Sequence, residues 1–324
     1  MVKRMTIADI ARNLGLDYST VLRILNNDFK NHKYNPETVK KVVEYAEKHN
    51  LIKNHVASAL KNGKTFLIGI SVPDLGASHF FAKLSSLISR GLLNHGYKAI
   101  ISDTMDDSEQ ELRNIKDFIS YRVDGIILSP FAQLPELSNL IKDIPMITVD
   151  NDFYPEYDFI GLDETNAAEA LLKKMFKAGS RKIGLTACYH AEERIRNFRK
   201  AAAGITLLTP SAGLMRKDAI ALQCEEFLKC GCDTLIGVNS NSLIEAVKYV
   251  NGKGLKVPHD IKLAGIDEVP LLNTFMPQVP MISQPVEKYA SKAVEILIGK
   301  IEKKKLVEGE KFLFKGKLIG GALK

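Results

Sequence analysis

Tyr18, Ser19, Leu22 and Arg23 occupy the outward positions of a short stretch whose other side carries Val21, Ile24 and Leu25. An arginine can grip guanine through two parallel hydrogen bonds, and Ser and Tyr hydroxyls can donate or accept. An apolar side chain can meet a thymine methyl. When a helix of this kind enters a major groove, its early residues reach the base edges. The chemistry available here is the reading of a duplex rather than the breaking of a bond.

Patterns for turnover are missing from the rest of the chain. The sequence holds no Gly-x-Ser-x-Gly elbow, no His-Glu-x-x-His and no Gly-x-Gly-x-x-Gly fingerprint. Asn62-Gly63-Lys64-Thr65 resembles the end of a phosphate loop, but Ser58 stands where that loop needs Gly, and a strand follows rather than precedes it. Asp267-Glu268 is a lone adjacent carboxylate pair, for which a binding role suffices. Cys188, Cys224, Cys230 and Cys232 lack Cys-x-x-Cys spacing and a neighbouring His pair, so reduced thiols are expected, with no metal and no cofactor. The expectation is a protein that is not an enzyme.

Three short helices must position the reading face. Thr6 can cap a first helix with its apolar stripe at Ile7, Ile10, Ala11 and Leu14. Gly15 supplies the turn, and Asp17 can cap the second helix. A third helix opens at Asn35-Pro36-Glu37 and offers Val39, Val42, Val43 and Ala46 to close a small core.

Charge separates this end from the remainder. Residues 1–64 hold 12 Lys+Arg against 6 Asp+Glu, whereas the whole chain of 324 residues holds 45 against 38. A basic end on a neutral body is the footprint of a part that touches a polyanion joined to a part with another task. No run approaches the length of a membrane span, and the first residues show no apolar leader core, so a cytoplasmic protein without membrane contact is expected.

From Phe66 the pattern becomes an alternation of short apolar runs and amphipathic stretches. Strands are expected at 67–72, 98–102, 125–129, 146–150, 182–187, 234–238 and 262–266. Helices are expected at 80–95, 108–120, 134–142, 166–178, 195–203, 219–229 and 242–252, and 311–324 reads as a final strand and tail. Strands alternating with helices imply parallel sheets covered on both faces, and two such series suggest two similar lobes.

Thr6-Ile7-Ala8-Asp9-Ile10-Ala11 and Gly15-Leu16-Asp17-Tyr18-Ser19-Thr20-Val21-Leu22-Arg23-Ile24-Leu25-Asn26 together resemble the helix-turn-helix opening of the LacI/GalR family of bacterial transcription regulators. The resemblance continues through Ile68-Gly69-Ile70-Ser71-Val72-Pro73-Asp74, Arg122–Pro130, Val257–Ile261 and Gly265-Ile266-Asp267-Glu268, and so covers nearly the whole chain. It implies a small all-α helix-turn-helix DNA-binding domain (1–50), a hinge helix and linker (51–64) and an α/β two-lobed periplasmic-binding-protein-like (type I) domain (65–324). The lobes would be discontinuous, about 65–162 plus 285–317 and 163–284 plus 318–324.

Carried over position by position, the resemblance gives Tyr18, Ser19 and Arg23 to base reading and Thr6, Asp17, Thr20 and Asn26 to phosphate contacts. Asn54 and Ala57 match the family's hinge helix, and Leu60 fills the place of a residue that wedges into the minor groove. Leu22 stands where Ser is usual, Lys53 replaces a Pro and Ser58 an Arg. In the body, Arg194, Asn239 and Asp267 match effector-binding positions of the second lobe, and Asp74, His79, Phe80 and Asp150 those of the first. Asn197 replaces the family's Gly, and Ser240 its Asp. The segment 204–215 is shorter than usual and brings no counterpart to the aromatic that often covers the ligand.

The function these residues imply is a homodimeric repressor of a DNA operator, controlled by a sugar or sugar derivative bound between the lobes. Two other readings stay open: a small-molecule carrier without a DNA role, and a sugar-active enzyme.

Overall fold

The computed structural model describes residues 5–25, 29, 33–49, 51, 63–189, 191–303 and 309–321. Asn26, Asn54, Ala57 and Leu60 lie outside these residues. The chain divides into two compact units, Met1–Thr65 and Phe66–Lys324.

The first unit contains α1 (Ile7–Leu14), α2 (Tyr18–Leu25) and α3 (Pro36–Lys48). Thr6 and Asp9 form a reciprocal capping box: the Thr6 hydroxyl accepts from the Asp9 amide at 3.2 Å, and the Asp9 carboxylate accepts from the Thr6 amide at 3.1 Å. Gly15 ends α1 at φ 65°, the left-handed conformation that a side chain would penalise. Asn35 caps α3, with Pro36 at its first position. Ile10, Ala11, Val21, Ile24, Val42 and Ala46 form the buried centre. Each helix contributes two of these residues, so none is stable without the others.

The second unit is built on two six-stranded sheets. Sheet one has the order β11-β5-β4-β3-β1-β2, from β1 (Leu67–Val72), β2 (Lys98–Asp103), β3 (Gly125–Leu128), β4 (Met146–Val149), β5 (Asp158–Leu162) and β11 (Lys311–Phe314). Sheet two has the order β12-β10-β9-β8-β6-β7, from β6 (Lys182–Thr186), β7 (Thr206–Leu208), β8 (Thr234–Gly237), β9 (Lys262–Ile266), β10 (Met281–Ser283) and β12 (Lys317–Ile319). The two orders correspond strand for strand. All pairings are parallel except β10 with β12.

The helices that cover sheet one are α4 (His79–Leu93), α5 (Ser108–Ser120), the single turn α6 (Leu137–Leu140) and α12 (Val286–Lys303). Those of sheet two are α7 (Glu164–Lys177), α8 (Glu192–Ala201), α9 (Ile220–Lys229) and α10 (Ser240–Gly252), with the short α11 (Pro270–Phe275). After β5 the chain leaves sheet one for α7. It returns after β10 through α12, adds β11, and ends with β12 back on sheet two.

Some expected elements differ. The stretch 134–142 is helical only over Leu137–Leu140, with Leu134 and Ile141 packed on either side. The expected strand at 146–150 ends at Val149, because Asp150 turns to φ 75°. The terminal segment forms two short strands in different sheets rather than one. The 18-residue α12 carries an apolar stripe, Val286, Tyr289, Ala290, Ala293, Val294, Leu297, Ile298 and Ile301, at helical spacing, so it was readable although the alternation did not mark it.

Buried within sheet one, Lys300 of α12 pairs with Asp158 of β5 at 2.9 Å, both side chains almost fully enclosed. Asp158 also accepts from the Glu310 amide at 2.8 Å. One carboxylate thereby fixes both α12 and the start of β11.

Candidate functional site

In the first unit, Tyr18 and Ser19 are exposed on the opening turn of α2. Thr20, Leu22 and Arg23 are half-buried, and Thr6 is exposed. Asp17 precedes the helix and accepts from both the Ser19 amide, at 2.7 Å, and the Ser19 hydroxyl. Those bonds hold the Asp17 carboxyl below its ordinary value. The exposed face of α2 therefore has one preset element: the Ser19 hydroxyl is oriented by Asp17 at the start of its own helix.

The second unit holds a cavity of about 530 Å³ at the carboxyl ends of the strands of both sheets. Ligands of open parallel sheets bind in that position, because helix N-termini converge there and side chains after each strand are released from pairing. Asp74, Phe80, Asp150, Arg194, Asn239 and Asp267 all line it. His79 does not. It is exposed on α4 and borders a separate small hollow with Lys83, Glu268 and Ser283, because the first turn of the helix directs Phe80, not His79, inward.

Arg194 is the most constrained of these side chains. Its guanidinium grips Glu164 at 2.6, 2.9 and 3.0 Å and donates to the Val238 carbonyl at 2.6 Å. Burial works against its charge, but Glu164, Asp267 and Asp150 outweigh this and raise it above the ordinary arginine range. Asp267 accepts from the Gln284 amide group at 2.6 Å and from the Ser240 backbone at 3.3 Å. The Tyr289 hydroxyl donates to Gln284 at 2.9 Å, which fixes the orientation of that amide. Asp150 is pushed up to about 7, chiefly by burial, with Asp267 and Glu164 adding to the effect and Arg194 opposing it.

Asn239 lines the cavity but is already engaged. It caps α10 by accepting from the Ser242 amide at 2.9 Å, and it donates to the Cys188 carbonyl at 3.3 Å. Its placement depends on Gly237, where a Cβ would sit 2.4 Å from the Leu243 backbone nitrogen. Asp74, which also lines the cavity, similarly accepts from the Ala77 amide at 2.7 Å.

The structure adds residues that the sequence reading missed. Glu164 holds Arg194, and Gln284 holds Asp267. Phe131, after β3, meets Tyr189, after β6, edge to face beside the cavity, with ring centroids 5.7 Å apart. Phe81, Phe153 and Phe159 line it as well. Glu164, Gln284 and Phe131 share one signal in the sequence, a place just after a strand, whereas Phe81 sits in the first turn of α4. Among the described residues no group of three or more His, Cys, Asp or Glu could hold a metal ion. No helix of the described residues is long and apolar enough to cross a membrane.

The sequence of residues 172–321 matches the periplasmic binding protein-like domain family. The HTH-type transcriptional regulator PtxS of Pseudomonas putida is 28% identical over 312 residues, 92% of this chain and 90% of that protein. The likeness to these HTH-type regulators runs along nearly the whole of both chains. The Lac repressor dimer bound to operator and an anti-inducer shares the fold at a TM-score of 0.82, with 19% identity and 98% of each chain covered. The transcriptional regulator CelR in complex with cellobiose shares it at 0.69, with 17% identity and 98% of each chain covered. The likeness in fold thus covers both the helical unit and the two sheets.

Proposed function

We propose that this protein is a sequence-specific DNA-binding transcription regulator, a cytoplasmic homodimeric repressor whose hold on a near-palindromic operator is set by a small hydroxylated effector. The observation that carries the reading is one chain joining a basic three-helix unit, with Tyr18 and Ser19 exposed on α2, to a two-sheet cavity. Phosphate contacts at Thr6, Asp17, Thr20 and Asn26 would set orientation, and Tyr18, Ser19 and Arg23 would choose bases. Asn54, Ala57 and Leu60 would form a minor-groove hinge in the dimer. In the cavity, Asp74, Phe80, Asp150, Arg194, Asn239 and Asp267 would meet the effector, with the rings covering C–H faces and the polar groups bonding hydroxyls.

Effector binding would act by favouring one arrangement of the lobes, and DNA affinity would follow by linkage. A carrier without a DNA role leaves unexplained why 12 basic residues meet only 6 acidic ones in residues 1–64. Selection of bound duplexes from a random pool, followed by anisotropy titration at several salt concentrations, tests the proposal. A recovered palindrome bound far more tightly than random duplex supports it. Equal affinity for every sequence, or none at low salt, refutes it.

A further inference from the structure

The charge on the cavity wall is strongly one-sided. Among the described lining residues nine are carboxylic acids and three are cationic. Two of the three cations are already spent: Arg194 on Glu164, and Lys311 on Asp152. Arg196 is exposed at the rim. Asp150 and Asp267 therefore face the cavity with one arginine between them whose charge Glu164 already balances.

Helix N-termini at the carboxyl end of a sheet ordinarily welcome anions. Here the protein's own acids occupy them. Asp163 caps α7 and accepts from the Asn166 amide at 3.0 Å, and Asp267 accepts from the Ser240 amide at the start of α10. Glu192 and Glu193 form the first turn of α8. A phosphate or carboxylate on the ligand would find its usual donors taken and meet fixed charge of its own sign.

The remaining wall mixes amide, hydroxyl and aliphatic side chains with six rings: Phe80, Phe81, Phe131, Phe153, Phe159 and Tyr189. Rings beside carboxylates are the surroundings that attract an organic ammonium group, through ring quadrupole and charge together. Like-charge crowding in the wall supports the same reading. Asp106 is raised to about 6, first by burial and then by Asp74, with Lys217 opposing and Asp103 adding. A cation brought in by the ligand relieves that crowding, whereas a neutral ligand leaves it in place.

We propose that the cavity takes a polyhydroxylated amine, an amino sugar or aminated polyol with a protonated nitrogen and no phosphate or carboxylate. The proposal rests on the effector reading above and narrows it to one chemical class. The test is calorimetric titration of the full chain at pH 7.5 with the glucose, galactose and mannose frames. Each frame is offered as the free sugar, the 2-amino sugar, the 6-phosphate and the uronate. In at least one frame the amine should bind on the order of 10-fold tighter than its parent, and the two anionic forms should give no measurable binding. Asp150→Asn and Asp106→Asn, checked for intact folding by thermal melting, should reduce the amine-to-parent ratio toward one.

A parent sugar that binds as well as its amine, an anionic form that binds better, or silence in every arm overturns the proposal. The effector reading is judged separately by operator affinity. If a neutral sugar binds and shifts that affinity, only the ammonium assignment falls. If no operator can be selected at all, the regulator reading falls whatever the calorimeter shows.

Discussion

Asp150 and Asp267 are counterparts across the two lobes of this protein. Asp150 directly follows β4 and Asp267 directly follows β9, the third strand from the matching edge of each sheet. Each turns to the left-handed region, at φ 75° and 73°, which ends the strand and swings the carboxylate toward Arg194. Their surroundings differ. Asp267 receives the Gln284 amide group and the Ser240 backbone N–H, whereas Asp150 is pushed up to about 7 from its ordinary 3.8, chiefly by burial.

That difference predicts a pH dependence. Near pH 4 the Asp150 carboxyl keeps its proton in the folded chain and is roughly half protonated in the unfolded one, so the two states differ little there. As pH rises toward about 7, the unfolded chain releases this proton first, so the contribution of Asp150 to stability falls across that window. Asp150→Asn removes the titration, and Asn tolerates the left-handed backbone. The variant should melt with the parent near pH 4 and on the order of 5 °C above it at pH 8. Calorimetric melts at both pH values check this, and a constant offset at every pH would refute it.

Arg194 offers a sharper contrast. A lysine carries the same charge but cannot reproduce a two-pronged grip on Glu164 together with the bond to the Val238 carbonyl. Arg194→Lys should therefore cost about 1–3 kcal/mol, and Arg194→Ala about 3–5 kcal/mol, since Glu164, Asp150 and Asp267 would then face one another without a counter-charge. Urea unfolding reads both. Equal stability of the Lys variant and the parent would mean that the geometry contributes nothing.

Glu111 couples a buried charge to the aromatic wall of the cavity. One of its carboxylate oxygens accepts from the Phe131 and Ala132 amides, each at 3.0 Å, while the other has no hydrogen-bond partner among the described residues. Burial raises its carboxyl to about 7 against the pull of those two bonds. Glu111→Gln keeps an acceptor for both amides and removes the charge, so it should be neutral or stabilising at pH 8. Glu111→Ala abandons the amides and should cost about 1–3 kcal/mol. Melting both variants at pH 5 and pH 8 separates the loss of charge from the loss of the acceptor.

Much of this architecture could be read beforehand, for identifiable reasons. Residues 108–120 and 262–266 were placed to the residue because strong periodicity meets a clear boundary, such as the Asp107 cap. Arg194, Asp267 and Asp150 were expected from a resemblance, and all three line the cavity, Asp150 and Asp267 directly after strands and Arg194 on α8. Glu164 and Gln284 were not, because each works by gripping a residue far away in sequence, and no local pattern encodes that. His79 and Phe80 were expected together, yet adjacent helical positions point about 100° apart, so only one can enter the cavity.

The Lys300–Asp158 pair should be among the most sensitive points in the body. Both side chains are almost fully enclosed, and removing one charge strands the other where water cannot reach it. Lys300→Met keeps the volume of the stem and should cost about 3–5 kcal/mol in urea unfolding. The double variant Lys300→Met, Asp158→Asn should recover part of that loss, because the stranded carboxylate is gone while an oxygen remains for the Glu310 amide. Failure of the double variant to recover any stability would show that the ion pair itself, not the stranded charge, is what matters.

On the reading face, orientation and base choice should separate. Asp17 orders the start of α2 and holds the Ser19 hydroxyl, so Asp17→Ala should lower the stability of the helical unit and weaken binding to all duplexes. Arg23 carries the charge suited to a guanine edge, and Arg23→Ala should cost about 1–3 kcal/mol on the selected operator while affecting random duplex much less. Anisotropy titrations of both variants on both duplexes, at matched salt, test the separation. An equal loss on operator and random DNA for Arg23→Ala would move that residue from base reading to phosphate contact, because a phosphate contact weakens every sequence alike.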